Sequence, residues 1–158
     1  MSENRIEIDP KENVDYFRGN TALLVSMDSN GEKNVMALDW KKMEQHNGDL
    51  VIRTQVAYSR YTYELLTEGV NEFTINIPSD KIRNAVNIAG TYSGRNMNKI
   101  EKAELETIPG VKSKVPTLKD CLLNYECKII DSSKSDLSSH HYFYGKILKA
   151  FASKELVK

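Results

Sequence analysis

The chain has 158 residues, enough for one domain with a sizeable hydrophobic core. Its 22 basic side chains balance 22 acidic ones, so there is no overall field to hold nucleic acid, and any anion site must be local. With 40% hydrophobic and 28% charged residues it has ordinary globular composition, and no apolar run approaches the ~18 residues of a membrane helix.

Residues 1–13 (MSENRIEIDPKEN) are polar, lack the apolar stretch of a secretory signal and read as a loose leader, so a cytoplasmic protein is expected. Residues 21–27 (TALLVSM) form an apolar, partly β-branched strand. Asn30-Gly31 then signals a hairpin, with 34–40 (NVMALDW) as the return strand. Residues 49–55 (DLVIRTQ) and 72–77 (EFTINI) alternate and give two more strands, the second stopped by Pro78. Between them Ser59 can cap a helix over 60–68 that ends at Gly69. Ser79 can cap another over 80–89, with Ile82, Ala85, Val86 and Ala89 on one face and Gly90 as C-cap. A third helical stretch covers 98–105. Residues 122–130 and 140–152 return to β structure. Strands, short helices, then strands predict a mainly β barrel or α+β domain, not the alternation of a parallel sheet.

Two short basic segments carry the candidate chemistry. Ser59-Arg60-Tyr61-Thr62 opens a helix; Ser93-Gly94-Arg95 is followed by Lys99. Hydroxyls, a planar guanidinium fork and backbone N–H groups at a helix start suit a phosphate, and glycine permits close approach. Solvated surface charge is the alternative at this point. Neither segment is a P-loop or a dinucleotide-binding fingerprint. Cys121 and Cys127 are separated by five residues and read as buried thiols rather than a redox or metal pair. His140 and His141 would point to opposite faces of a strand and cannot easily share an ion, so no metal site is expected.

Taken in order, TALLVSM, NVMALDW, SRYTYELL, EFTINIPS, AVNIAGTYSGRNMNK, IPGVKSKVP, CLLNYEC and HHYFYG resemble the flavin reductase-like, FMN-binding split-barrel family, and within it the flavoredoxin branch. The similarity runs from about residue 18 to about residue 150, as a single domain, and SRYTYEL and GTYSGRNMNK are its specific pieces. The resemblance implies a six-stranded antiparallel split barrel with flanking helices, homodimeric, with FMN at or near the subunit interface. By position, Asn34, Val35, Met36, Ala37, Leu38, Asp39 and Trp40 would run beside the isoalloxazine ring. Ser59, Arg60, Tyr61 and Thr62 would surround the ribityl phosphate, and Thr91, Ser93, Gly94, Arg95 and Lys99 would complete the pocket. His140, three residues before Phe143 and five before Gly145, would lie by the flavin face where nicotinamide stacks.

Two segments depart from the family pattern. Ser138-Ser139 replace the Gly-Asp that often precedes the late histidine. The polar, proline-free stretch 41–48 (KKMEQHNG) replaces a proline-rich turn. The expectation is an FMN-dependent oxidoreductase taking electrons from NAD(P)H and passing them to a free flavin or a redox protein. A non-catalytic FMN electron carrier is the alternative, and a barrel without flavin a third.

Overall fold

Strand alternation builds the sheet, and the computed structural model describes residues 4–156 of it. In chain order the elements are β1 (Arg5–Glu7), α1 (Val14–Gly19), β2 (Ala22–Met27), β3 (Lys33–Leu38), β4 (Lys41–His46), β5 (Asp49–Ala57), α2 (Tyr61–Glu68) and β6 (Glu72–Pro78). A 3-10 turn, Asp80–Ile82, leads to α3 (Asn84–Thr91), α4 (Lys99–Lys102), β7 (Thr107–Ile108), β8 (Thr117–Leu118), β9 (Cys121–Lys134) and β10 (His140–Ser153). One sheet runs β3-β2-β6-β9-β10-β5-β4, with β1 on the far half of β10, and β7-β8 form a small ribbon apart. Every pairing is antiparallel. The sheet curls into a split barrel of eight strands rather than six, the two additions being β1 and β4.

The barrel encloses Leu24, Met36, Ile52, Phe73, Ile75, Tyr125 and Phe143. β6 is buried on both faces. Its Phe73, Ile75 and Ile77 point into the barrel, and Thr74 and Asn76 face a dry polar layer in which Asn124 donates to Asn76 Oδ1 at 2.8 Å. A second core, with Leu23, Val25, Val35, Ala85 and Ala89, lies between the sheet and α3. The close crossing at Gly145 is required by this packing, since a Cβ there would stand 2.4 Å from the Phe73 ring. β9 also anchors the segment before β8. The fully buried Glu126 carboxylate accepts from the backbone N–H groups of Val111, Lys112 and Ser113 at 2.7–3.0 Å.

Several sequence expectations are corrected. Residues 5–7 are not loose: β1 pairs with β10, and α1 buries Phe17 edge-on against Tyr125 at 5.1 Å. The polar stretch after Trp40 is strand β4, joined to β5 through Asn47-Gly48, both at positive φ, with His46 opposite Asp49. Ser59 is not the cap of α2: Arg60 occupies that position and no side chain caps it, although Gly69 does end the helix by donating to Leu65 O. The helix expected over 80–89 is a 3-10 turn followed by α3, which continues through Gly90 to Thr91. Ser79 precedes that turn, but its hydroxyl donates to Asp120 O at 2.7 Å instead of capping. The third helix shrinks to Lys99–Lys102, capped by the Asn98 side chain. Cys121 and Cys127 are buried, unpaired thiols whose burial pushes their pKa up.

Candidate functional site

The two basic segments meet. α2 begins where β5 ends, and its first turn lies against the start of β3. Thr62 is buried there and accepts from Asn34 Nδ2 at 3.2 Å. The loop after α3 closes over the same spot. A Cβ on Gly94 would stand 2.0 Å from Asn34 Oδ1 and 2.8 Å from a Tyr61 ring carbon, so only glycine lets this backbone come so near. Arg95 then reaches across, donating to Ser59 O at 3.1 Å and to Glu64 Oε1 at 2.9 Å, with its guanidinium 5.6 Å from the Tyr61 ring. Its N–H is held by Ser93 Oγ at 3.1 Å.

Lys99 completes the cluster from α4. Its side chain is buried, with Nζ donating to Ala89 O at 3.0 Å. Burial, and then the neighbouring positive charge of Arg60, lower its pKa to about 8. Among the described residues neither Arg60 nor Lys99 enters an ion pair; the nearby Glu64 is turned to Arg95. Two cations that repel each other, one of them buried, with hydroxyls and a glycine loop beside them, form a notch that favours an anion.

The remaining candidates lie around this notch. Val35, Met36 and Leu38 have buried side chains in the two cores, which leaves their backbone as the part available to a ligand on β3. Ala37 lies under α3, 3.8 Å from where a Cβ of Gly90 would be, and Thr91 ends that helix. Asp39 accepts from Thr21 Oγ1 at 2.6 Å. Trp40, 38% exposed, stacks on Tyr142 at 5.4 Å with Arg53 over both rings. Trp40 lies six positions after Asn34, roughly 20 Å along an extended chain.

His140 sits opposite Ala57, three residues before Arg60, on the strand face shared by Tyr142 and Tyr144; its Nδ1 lies 2.7 Å from Ser139 Oγ. His141 points to the other face, toward buried Phe143. Glu64, the Ala89 carbonyl and Tyr58 belong to the surroundings of the notch and are not singled out by the sequence, and His141, named there only as the opposite-facing neighbour of His140, joins them. They act through fold contacts that no local pattern encodes. A cleft of about 1020 Å³ lies elsewhere, between Arg5, residues 79–83, 106–109 and 118–122, and contains none of the candidate residues. Among the described residues no three His, Cys, Asp or Glu side chains are grouped to hold a metal ion, and no helix is long and apolar enough to cross a membrane.

An antiparallel split barrel with an anion-receptive notch at the end of its edge strand defines the class of protein. The family described as the flavin reductase like domain matches residues 15–157, and the chain belongs to that family. An uncharacterized protein of Archaeoglobus fulgidus is 35% identical over 115 residues, 73% of this chain and 63% of that protein, so the chain spans less than two thirds of this relative's length. Flavoredoxin of Desulfovibrio vulgaris (Miyazaki F) superposes with a TM-score of 0.75 at 26% identity, over 86% of this chain and 70% of that one. An FMN-binding domain of a flavin reductases-like enzyme from Shewanella baltica shares the fold with a TM-score of 0.81 at 18% identity, over 98% and 80% of the two chains.

Proposed function

We propose that the protein binds FMN, with the phosphate in the notch between Arg60 and Lys99, and transfers electrons through it. The observation that carries this is the pair of mutually repelling cations, without a carboxylate between them, beside Thr62 and Gly94. The donor set fits a phosphate: a free guanidinium, an ammonium, and the Ser59 and Thr62 hydroxyls. Arg95 differs from Arg60, because its guanidinium is already spent on Ser59 O and Glu64 and holds the turn in place. Bound FMN supplies a ring that takes up and returns electrons; the chain contributes binding, orientation and charge. NAD(P)H is the proposed donor, with a free flavin or a redox protein as acceptor, and His140 is assigned to the flavin face where nicotinamide would stack. Absorbance of the purified protein and a fluorescence titration with FMN test this. A colourless protein whose FMN fluorescence does not change on mixing would refute it.

The carrier alternative has one observation in its favour. His140 Nδ1 is engaged by Ser139, in the segment where the family's Gly-Asp is replaced. Steady-state NAD(P)H consumption separates carrier from reductase. A homodimer is part of the proposal, with support from the exposed Trp40 stacked on Tyr142 at the outer face of β10. Light scattering checks it, and a monomer that binds FMN tightly would exclude it. A cytoplasmic setting accords with two thiols that remain unpaired.

A further inference from the structure

The phosphate-facing turn is gripped from behind by a histidine to which nothing above gives a role. Tyr58 is the residue immediately before Ser59-Arg60. Its backbone N–H donates to Ser139 O at 3.0 Å, and its hydroxyl lies 3.1 Å from His141 Nδ1. Ser139 ends the turn before β10 and His141 lies at the strand's start, so Tyr58 is held at its backbone and at the tip of its ring by adjoining residues. His141 is itself held in place. It sits in register between Val56 of β5 and Lys134 of β9, and its ring packs on Phe143 at 5.3 Å and Tyr63 at 5.9 Å. The Tyr58 ring meets Tyr63, in the first turn of α2, edge-on at 5.0 Å. Burial and the Lys134 charge keep the His141 pKa below its ordinary value, so at neutral pH one ring nitrogen is free to accept from the phenol.

Tyr58 is 38% exposed, so burial alone does not fix it. Its hydrogen bond to His141 ties the ring, beside the backbone bond to Ser139, to the packed start of β10. From the front, Arg95 holds the same turn through Ser59 O, and the Arg60 N–H closes the turn onto Ala57 O at 3.0 Å. A phosphate site depends on donors held in place before the ligand arrives, because charged hydrogen bonds weaken steeply as their geometry degrades.

We propose that His141 and Tyr58 are a positioning pair that sets how tightly the Ser59–Thr62 turn grips a flavin phosphate. The pair rests on the FMN reading of the notch given above. Both act through the backbone that carries Arg60.

The test is the ratio of FMN to riboflavin affinity, measured by fluorescence titration in the parent, Tyr58→Phe, His141→Leu, His141→Asn and the Tyr58→Phe/His141→Leu double variant. Amide exchange of residues 59–62 is followed without flavin. Tyr58→Phe removes one hydroxyl from an exposed ring and leaves the fold intact. It is expected to lower the ratio about threefold to tenfold, leave riboflavin affinity unchanged, and speed exchange in the turn. His141→Leu should match it, the double variant should be no worse than either single one, and His141→Asn, which keeps an acceptor near the Nδ1 position, should recover most of the ratio. A parent that prefers FMN while Tyr58→Phe keeps the full preference would overturn the pair and leave the phosphate notch standing, as would losses that add in the double variant. A parent that binds both flavins equally would overturn the notch itself and the pair with it.

Discussion

Lys99→Met should make the flavin-free protein more stable and the FMN complex weaker. In the absence of an anion the Lys99 pKa falls from 10.5 to about 8. At about 1.4 kcal/mol per pH unit, holding the charge in that position costs about 3 kcal/mol relative to an exposed lysine. Methionine fills a similar volume without charge, and it gives up only the bond to Ala89 O, worth about 1 kcal/mol. The net gain is about 2 kcal/mol, which for a chain of this size raises Tm by about 4–8 °C in a buffer free of phosphate and sulfate. FMN affinity should fall by about tenfold to a hundredfold, and riboflavin affinity should not change. The pH dependence has a fixed sign. Between about pH 8 and pH 10.5 the unfolded chain keeps a proton that the folded one has released, so the anion-free parent gains stability as pH rises through that window. Lys99→Met should flatten this rise. Thermal unfolding at several pH values, with and without FMN, reads all of these effects. A methionine variant that is less stable than the parent in anion-free buffer, or that loses both flavins equally, would show that Lys99 is a structural residue and not half of a phosphate site.

Arg60→Ala should weaken FMN by about tenfold to a hundredfold, the value of one charge-assisted hydrogen bond, and spare riboflavin; parallel titrations decide. Arg95→Ala should weaken FMN less than Arg60→Ala does, because its charge is already met by Glu64. Gly145→Ala forces a methyl into the Phe73 ring and Cys127 Cβ and should cost about 1–3 kcal/mol in denaturant unfolding, with no selective effect on flavin phosphate. If His140 faces the electron donor, His140→Ala slows NAD(P)H oxidation with FMN affinity nearly unchanged, while His141→Ala does not slow that step; stopped-flow absorbance at the flavin band separates them.

The sheet was legible where burial is one-sided or complete. Phe73, Ile75 and Ile77 announce β6, and the apolar run from Ala22 announces β2. β4 was not, because Lys41–His46 is an edge strand whose charges are satisfied at a distance. Lys41 Nζ donates to Asn20 O at 2.6 Å, and the Arg53 and Glu44 side chains pair across the hairpin. A signal was nonetheless present. Asn47-Gly48 is a two-residue turn of the strongest hairpin type, masked by a first strand without apolar alternation. Asn30-Gly31 announces the hairpin that joins β2 to β3, through a five-residue loop between Met27 and Lys33 in which only Gly31 takes a positive φ. At the notch, the hydroxyl and arginine segments could be read, but not their division of labour. Sequence cannot tell that Arg95 answers Glu64 while Arg60 is left free, because that depends on how two distant loops cross.

The fourteen residues of β10 change neighbours along their length. The first half lies between β9 and β5, the second between β9 and β1, and the register slips at Tyr144/Gly145 and again at Ile147/Lys149. During synthesis, therefore, the two halves of the sheet have nothing to join them until this strand has left the ribosome. Until then β5 and β9 each present an edge that only β10 covers. Long-range pairing of this kind slows folding to the range of milliseconds to seconds, and the notch depends on it, because its turn leans on the beginning of β10.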